Sequence, residues 1–210
     1  MNIKIFSEND LKQNICLCWC EKSKEAVLID AGCSQLDEAE IVKAIKENGL
    51  TVKAILLTHG HFDHIISLDR MKAITGAKVY CHSLEKPYLE NPDVNLSCMV
   101  GKEVSVTADE FLHAGDVISF GEEELQAIHI PGHTPGSLCY YSKKAGVVFT
   151  GDTLFANAIG RTDLPLCDSE LLMRSIKTKL LTLPEETVVY PGHAASTTIG
   201  KEKKHNPFLK

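Results

Sequence analysis

No apolar run in these 210 residues approaches membrane-spanning length, which excludes a helix threaded through a bilayer. The opening residues Met1-Asn2-Ile3-Lys4-Ile5-Phe6 alternate as a strand does and lack the long apolar core of a secretory signal, so the expected location is the cytoplasm. Nothing basic interrupts a net charge of −6 until the short tail run Lys201-Glu202-Lys203-Lys204. Nucleic-acid binders carry a basic stripe, so neither nucleic acid nor a membrane is an expected partner. Cys-x-x-Cys spacing is absent despite eight cysteines, and the chain is too long and apolar to need a disulfide scaffold. Cys16, Cys18 and Cys20 alternate with Ile15, Leu17 and Trp19, so a strand would set three sulfurs on one face, as buried free thiols that behave as small hydrophobes.

What is present reads as strands mixed with amphipathic helices. Strand-like runs cover Ile3 to Phe6, Ile15 to Cys20 and Ala26 to Ile29, the last ending at Asp30-Ala31-Gly32. Leu36 to Asn48 has helical spacing with Gly49 as a stop, and Ile65 to Ile74 predicts a second helix. Val52 to Leu57, Lys78 to Cys81, Leu125 to Ile130, Leu138 to Ser142, Val147 to Thr150 and Val188 to Tyr190 read as further strands. Leu172, Ile176 and Leu180 mark a helix starting near Ser169. Both halves mix the two element types, which predicts a layered α/β sandwich. No linker rich in Pro, Gly or Ser divides the chain and no repeat is visible, so one domain over residues 1–210 is expected.

The chemistry gathers where strands end. Behind the apolar run Ala54-Ile55-Leu56-Leu57 come Thr58-His59-Gly60-His61-Phe62-Asp63-His64, with four metal-capable side chains in six positions. Imidazole and carboxylate together suit zinc, iron or manganese. Solvated loop histidines would account for one or two of these residues and fit all four poorly. Ile128-His129-Ile130 is followed by Pro131-Gly132-His133, Val147 to Thr150 by Gly151-Asp152, and Val188 to Tyr190 by Pro191-Gly192-His193. Each time a strand ends, a turn-former follows, and then a ligand-type side chain appears. A lone strand-end aspartate is usually a helix cap; four such endings in one order are a specific signal.

That order resembles the metallo-β-lactamase superfamily, whose signature is His-x-His-x-Asp-His, then His, Asp and His. The resemblance covers nearly the whole chain and implies an αββα four-layer sandwich with its site on one rim. Carried over, it implies that His59, His61 and His133 hold one divalent cation, that Asp63, His64 and His193 hold a second, and that Asp152 bridges both. Common class B β-lactamases place a cysteine in the second site and lack the histidine after the aspartate, whereas His64 is present here. Gly151-Asp152-Thr153-Leu154-Phe155, Gly160-Arg161-Thr162-Asp163 and the ending Pro191-Gly192-His193 with Asn206-Pro207-Phe208 are most similar to the short bacterial glyoxalase II-like hydrolases. Those proteins lack a separate C-terminal helical domain, and none is expected here.

The implied activity is hydrolysis of a small-molecule thioester such as S-D-lactoylglutathione by a hydroxide bridging two metal ions, zinc first, with iron or manganese as alternatives. Asp63 and Asp152 are the implied catalytic carboxylates, Asp63 orienting the hydroxide. Arg161 is the substrate-binding candidate, an anion clamp by resemblance; a structural pair with Asp163 is the competing reading. Lys203 and Lys204 could meet an anionic substrate but read first as a solvated charge run. Tyr140 and Tyr141 are expected to be one core and one surface residue, and His82, His113, His129 and His205 to be structural or solvated. The rival is a persulfide dioxygenase with one iron on His59, His133 and Asp152. A lactonase of the same superfamily and a non-catalytic metal-binding protein are further alternatives.

Overall fold

A computed structural model describes residues 1–210. Strands β1 (Asn2–Phe6), β2 (Ile15–Trp19) and β3 (Glu25–Ile29) pair antiparallel in succession. Helix α1 (Gln35–Asn48) then carries the chain across to β4 (Thr51–Leu56), parallel to β3. A reciprocal cap between Ser34 and Asp37 starts α1, and Gly49 at φ 64° ends it. After α2 (Phe62–Ile65) and α3 (Leu68–Thr75) come β5 (Lys78–His82), α4 (Lys86–Glu90) and β6 (Glu110–Leu112), completing a sheet ordered β1-β2-β3-β4-β5-β6.

The second sheet begins with β7 (Val117–Phe120), β8 (Glu123–His129), β9 (Leu138–Ser142) and β10 (Val147–Gly151), all antiparallel neighbours. A two-stranded ribbon, β11 (Leu154–Phe155) with β12 (Ala158–Ile159), follows. Helix α5 (Ser169–Ser175) widens into a π turn over Ile176–Leu180, and β13 (Val188–Pro191) pairs parallel to β10. Last come β14 (Thr197–Thr198) and α6 (Ile199–His205), giving the order β14-β13-β10-β9-β8-β7.

Three buried clusters make four layers. Ile41, Ala44, Leu68 and Met71 from α1 and α3 pack on Ile15, Leu17, Leu28 and Ile55 of the first sheet. The opposite faces of the same strands turn Cys16, Cys18, Val27 and Leu56 toward Leu125, Leu138, Tyr140 and Phe149 of the second sheet. Cys139, Tyr141, Val148 and Val189 then meet Leu172, Ile176 and Ile199 from the C-terminal helices. With both faces of both sheets covered, the central strands need continuous apolar runs rather than alternation. Truncating fully buried Ile55 or Leu56 to alanine should cost about 2–5 kcal/mol. The αββα sandwich expected from the resemblance is the observed architecture.

Some local expectations need correction. Tyr140 and Tyr141 are both core residues, because helices cover the second sheet's outer face. The helix expected over Ile65 to Ile74 is broken: Ser67 N–H donates to Ala31 O at 3.0 Å and its hydroxyl to Cys33 O at 2.6 Å, pinning the chain to the exit of β3. The charged tail forms helix α6 with Ile199 and Glu202 buried, while Lys203 and Lys204 are exposed, as a solvated charge run would be, and pair with Glu185 at 3.7 and 3.4 Å. All eight cysteines are free; Cys98 is exposed, Cys167 half-buried and the rest buried. No helix is long and apolar enough to cross a membrane.

Candidate metal centre

The exits of β3, β4, β8, β10 and β13 meet on one rim of the sandwich. Asp30 follows β3; His59 and His61 follow β4, with Asp63 and His64 on the first turn of α2. His133 lies in the β8–β9 connection, Asp152 directly after β10, and His193 two residues after β13. Each backbone must turn as it leaves its sheet. Gly151 does so at φ 49°, where a Cβ would collide with the Thr58 side chain. A Cβ at Gly192 would strike Asp152 Oδ1 and His64 Cε1, filling the space the ligand-type atoms surround.

All seven expected metal residues converge. The ligand-type atoms of His59, His61 and His133 lie within 4.8 Å of one another, as do those of Asp63, His64 and His193, and those of His59, His64 and Asp152. Asp152 faces both groups: Oδ2 is 3.8 Å from His133 Nε2, while Oδ1 is 3.4 Å from His64 Nε2 and 3.6 Å from His193 Nε2. Asp63 Oδ2 lies 3.1 Å from His193 Nε2 and 3.7 Å from His64 Nε2.

Surrounding oxygens settle which nitrogen points inward. His64 Nδ1 sits 2.8 Å from Asp30 Oδ2, His133 Nδ1 2.8 Å from Arg161 O, and His193 Nδ1 3.0 Å from Leu11 O. Thr58 Oγ1 donates to Asp30 Oδ2 at 2.8 Å and so accepts from His59 Nδ1 at 3.1 Å. Each Nδ1–H is thereby tied to an oxygen, leaving four Nε2 lone pairs directed at the centre. His61 is the exception, with Nδ1 3.0 Å from His133 Nε2. Buried His59 Nε2, His64 Nε2 and Asp152 Oδ1 have no hydrogen-bond partner. Buried polar atoms are normally satisfied, so this set of inward nitrogen and carboxylate donors fits divalent cations.

The two groups differ electrostatically. Burial, with the neighbouring imidazoles, pushes His59 well down, His61 to about 3, and His133 down. Burial also acts against a charged His64, but Asp63, Asp30 and Asp152 outweigh it and carry its pKa well up. His193 is likewise raised, burial being overcome by Asp63 and Asp152. For Asp152, burial opposes the anion, yet His64, His133 and His193 hold it well below the usual carboxylate range.

Comparison with known proteins fits this rim. The family model for the metallo-β-lactamase superfamily matches residues 12–193. The chain belongs to that superfamily. It is 46% identical over 172 residues to "Probable metallo-hydrolase YqgX" of Bacillus subtilis, covering 81% of this chain and 82% of that protein. It is 36% identical over 216 residues to "Hydroxyacylglutathione hydrolase GloC" of Haemophilus influenzae, covering 100% of this chain and 98% of the relative. The crystal structure of the BLEG-1 B3 metallo-β-lactamase superposes at a TM-score of 0.92, with 40% identity and 100% of both chains covered. These relatives place the chain among metallo-hydrolases of the superfamily.

Beside the seven expected residues, the rim holds Asp30 and the substrate-binding candidate Arg161. Asp30, buried and at φ 61°, joins the two halves by accepting from Thr58 and meeting His64. Its signal was present: Asp30-Ala31-Gly32 ends a strand as the other ligand segments do. Arg161 contributes its carbonyl to His133, while its exposed guanidinium pairs with Asp163 through Nε at 2.8 Å and Nη2 at 2.9 Å. A cavity of about 340 Å³ opens beside Asp63, lined in part by Leu11, Phe62, Ile66, Val100 and Lys102.

Proposed function

We propose that this chain is a binuclear metal-dependent hydrolase cleaving a thioester such as S-D-lactoylglutathione. The observation that carries the reading is Asp152, one carboxylate with its two oxygens turned to two separate ligand groups. His59, His61 and His133 would hold one cation, Asp63, His64 and His193 the other, and Asp152 would be shared. Zinc, iron and manganese all suit this nitrogen and oxygen donor set. Two such cations, when bound, supply Lewis-acid charge and a water nucleophile usable near pH 7.

The chain's own groups complete the reaction. Asp63 stands in the cavity wall and would orient the attacking water by accepting a hydrogen bond at a carboxylate oxygen. The cavity would seat one arm of the substrate against Leu11, Phe62, Ile66 and Val100, with the Lys102 ammonium available to an anionic group. Arg161 would be a second anion contact, through the part of its guanidinium not engaged by Asp163. A thiol has a pKa near 8.5, so its thiolate departs with little protonation from the protein. A one-iron dioxygenase on His59, His133 and Asp152 would give no task to Asp63, His64 and His193, which disfavours that reading.

The test is hydrolysis of S-D-lactoylglutathione by protein loaded separately with zinc, iron or manganese, beside an Asp152→Ala variant. Turnover that the variant abolishes is expected. No turnover with any metal would overturn the thioesterase reading. A simple lactone and a β-lactam are run in parallel, since the likeness to a B3 metallo-β-lactamase favours a β-lactam as the second substrate class.

A further inference from the structure

Glu85 ends the short turn after β5, far in sequence from every ligand-type residue, and it is fully buried. Its carboxylate meets no lysine or arginine. Oε2 accepts from Gly60 N–H at 2.7 Å, and Gly60 is the residue between His59 and His61. Oε1 accepts from Thr134 Oγ1 and from Gly136 N–H, both at 2.7 Å, and Thr134 directly follows His133. Ser137 Oγ lies 2.6 Å from Thr134 Oγ1 and accepts from Thr134 N–H at 3.2 Å, closing the turn around the anion. One carboxylate thus bonds both segments that carry the three-histidine group, one from each sheet.

The spacing is tight on both sides. A Cβ at Gly136 would come within 2.7 Å of Glu85 Oε1, and one at Gly60 within 3.2 Å of Oε2. Burial pushes the Glu85 carboxyl up to about 7, while Thr134, Gly60 and Gly136 pull the other way. Three donors aimed at two oxygens engage both ends of the carboxylate, so the two segments are held through one group.

We propose that Glu85 is a positioning residue for the first cation: its carboxylate fixes the His59–His61 segment against the His133 segment and so sets the distance among the three imidazoles. The inference rests on the reading that these histidines hold a divalent cation. Outer partners that orient ligands typically change metal affinity roughly 10- to 100-fold when lost. Glutamine fills the same volume but presents one oxygen and one NH₂, so one of the two segments must meet a donor with a donor.

Cobalt(II) absorption titrations separate the two clusters. In a His193→Ala background, which leaves the three-histidine group, Glu85→Gln should weaken cobalt binding roughly 10- to 100-fold. In a His61→Ala background, which leaves Asp63, His64 and His193, the same change should alter affinity by no more than about twofold. Parent-like affinity at the three-histidine group, or an equal loss at both groups, would overturn the inference. Should Glu85→Gln fail to fold, Thr134→Val removes one donor to the same oxygen and is expected to weaken the three-histidine group several-fold; no change would overturn the inference. Absence of cobalt binding in the His193→Ala parent would overturn the metal reading itself, and a parent that binds while Glu85→Gln binds equally overturns only the role of Glu85.

Discussion

The His59–His61–His133 group and the Asp63–His64–His193 group share Asp152, yet they treat protons in opposite ways. In the first, burial and neighbouring imidazoles push every histidine pKa down, which favours neutral imidazoles at pH 7. In the second, burial is outweighed by Asp63, Asp30 and Asp152, which push His64 and His193 up, so protons compete with a cation for these imidazoles to higher pH than in the first group. One half favours neutral imidazoles, and the other favours protonated ones. The difference arises from which neighbours the fold supplies: imidazoles around the first group, carboxylates around the second.

The change that erases the comparison altogether should be the largest. Asp152→Ala removes the group common to both halves, and thioester turnover should fall by at least about 10³-fold, the several kcal/mol that metal-centred charge stabilisation contributes. A steady-state assay on metal-loaded protein checks it. Asp30→Asn should separate the halves instead. It disturbs His64 directly and His59 only through Thr58, so the second group should lose roughly 10- to 100-fold in affinity and the first distinctly less. Site-resolved cobalt titration reads that difference.

Acid should separate the halves without mutation. As pH falls, groups with raised pKa values regain protons first, so His64 and His193 release their cation at higher pH than His59, His61 and His133. Each displaced proton makes affinity fall about tenfold per pH unit below the relevant pKa. Dialysis of loaded protein through successively lower pH should therefore free one equivalent before the other; simultaneous release would break the contrast. The smallest effect is expected at Arg161, whose guanidinium is exposed and paired with Asp163. Arg161→Ala should raise KM by less than about fivefold and leave kcat unchanged, in line with the ~1 kcal/mol ceiling of exposed ion pairs.

The residues that converge on the rim were legible because most follow their strands through a local rule, an apolar run, then a small or turn-forming residue, then imidazole or carboxylate. Most of their orienting partners were not, because they arrive from distant parts of the chain; Thr58, beside His59, and Asp30, at a strand end, are the exceptions. Leu11 O meets His193 across 182 positions, and Glu85 reaches Gly60 and Gly136 across 25 and 51. The break between α2 and α3 was hidden for the same reason: Ser67 is claimed by Ala31 and Cys33, which no periodicity within the helix reports. The expectation that one of Tyr140 and Tyr141 lies on the surface failed because alternation assumes one wet face, and the C-terminal helices leave none there. A layered α/β class needed only the pattern of elements and the αββα arrangement the family resemblance, whereas the electrostatic division of the site needed the sandwich itself.

The most direct test of the two-group account is calorimetric titration of metal-free protein with zinc at pH 7.5. It predicts two equivalents bound per chain, with proton release concentrated in one of the two binding events. Saturation at a single equivalent would contradict the account.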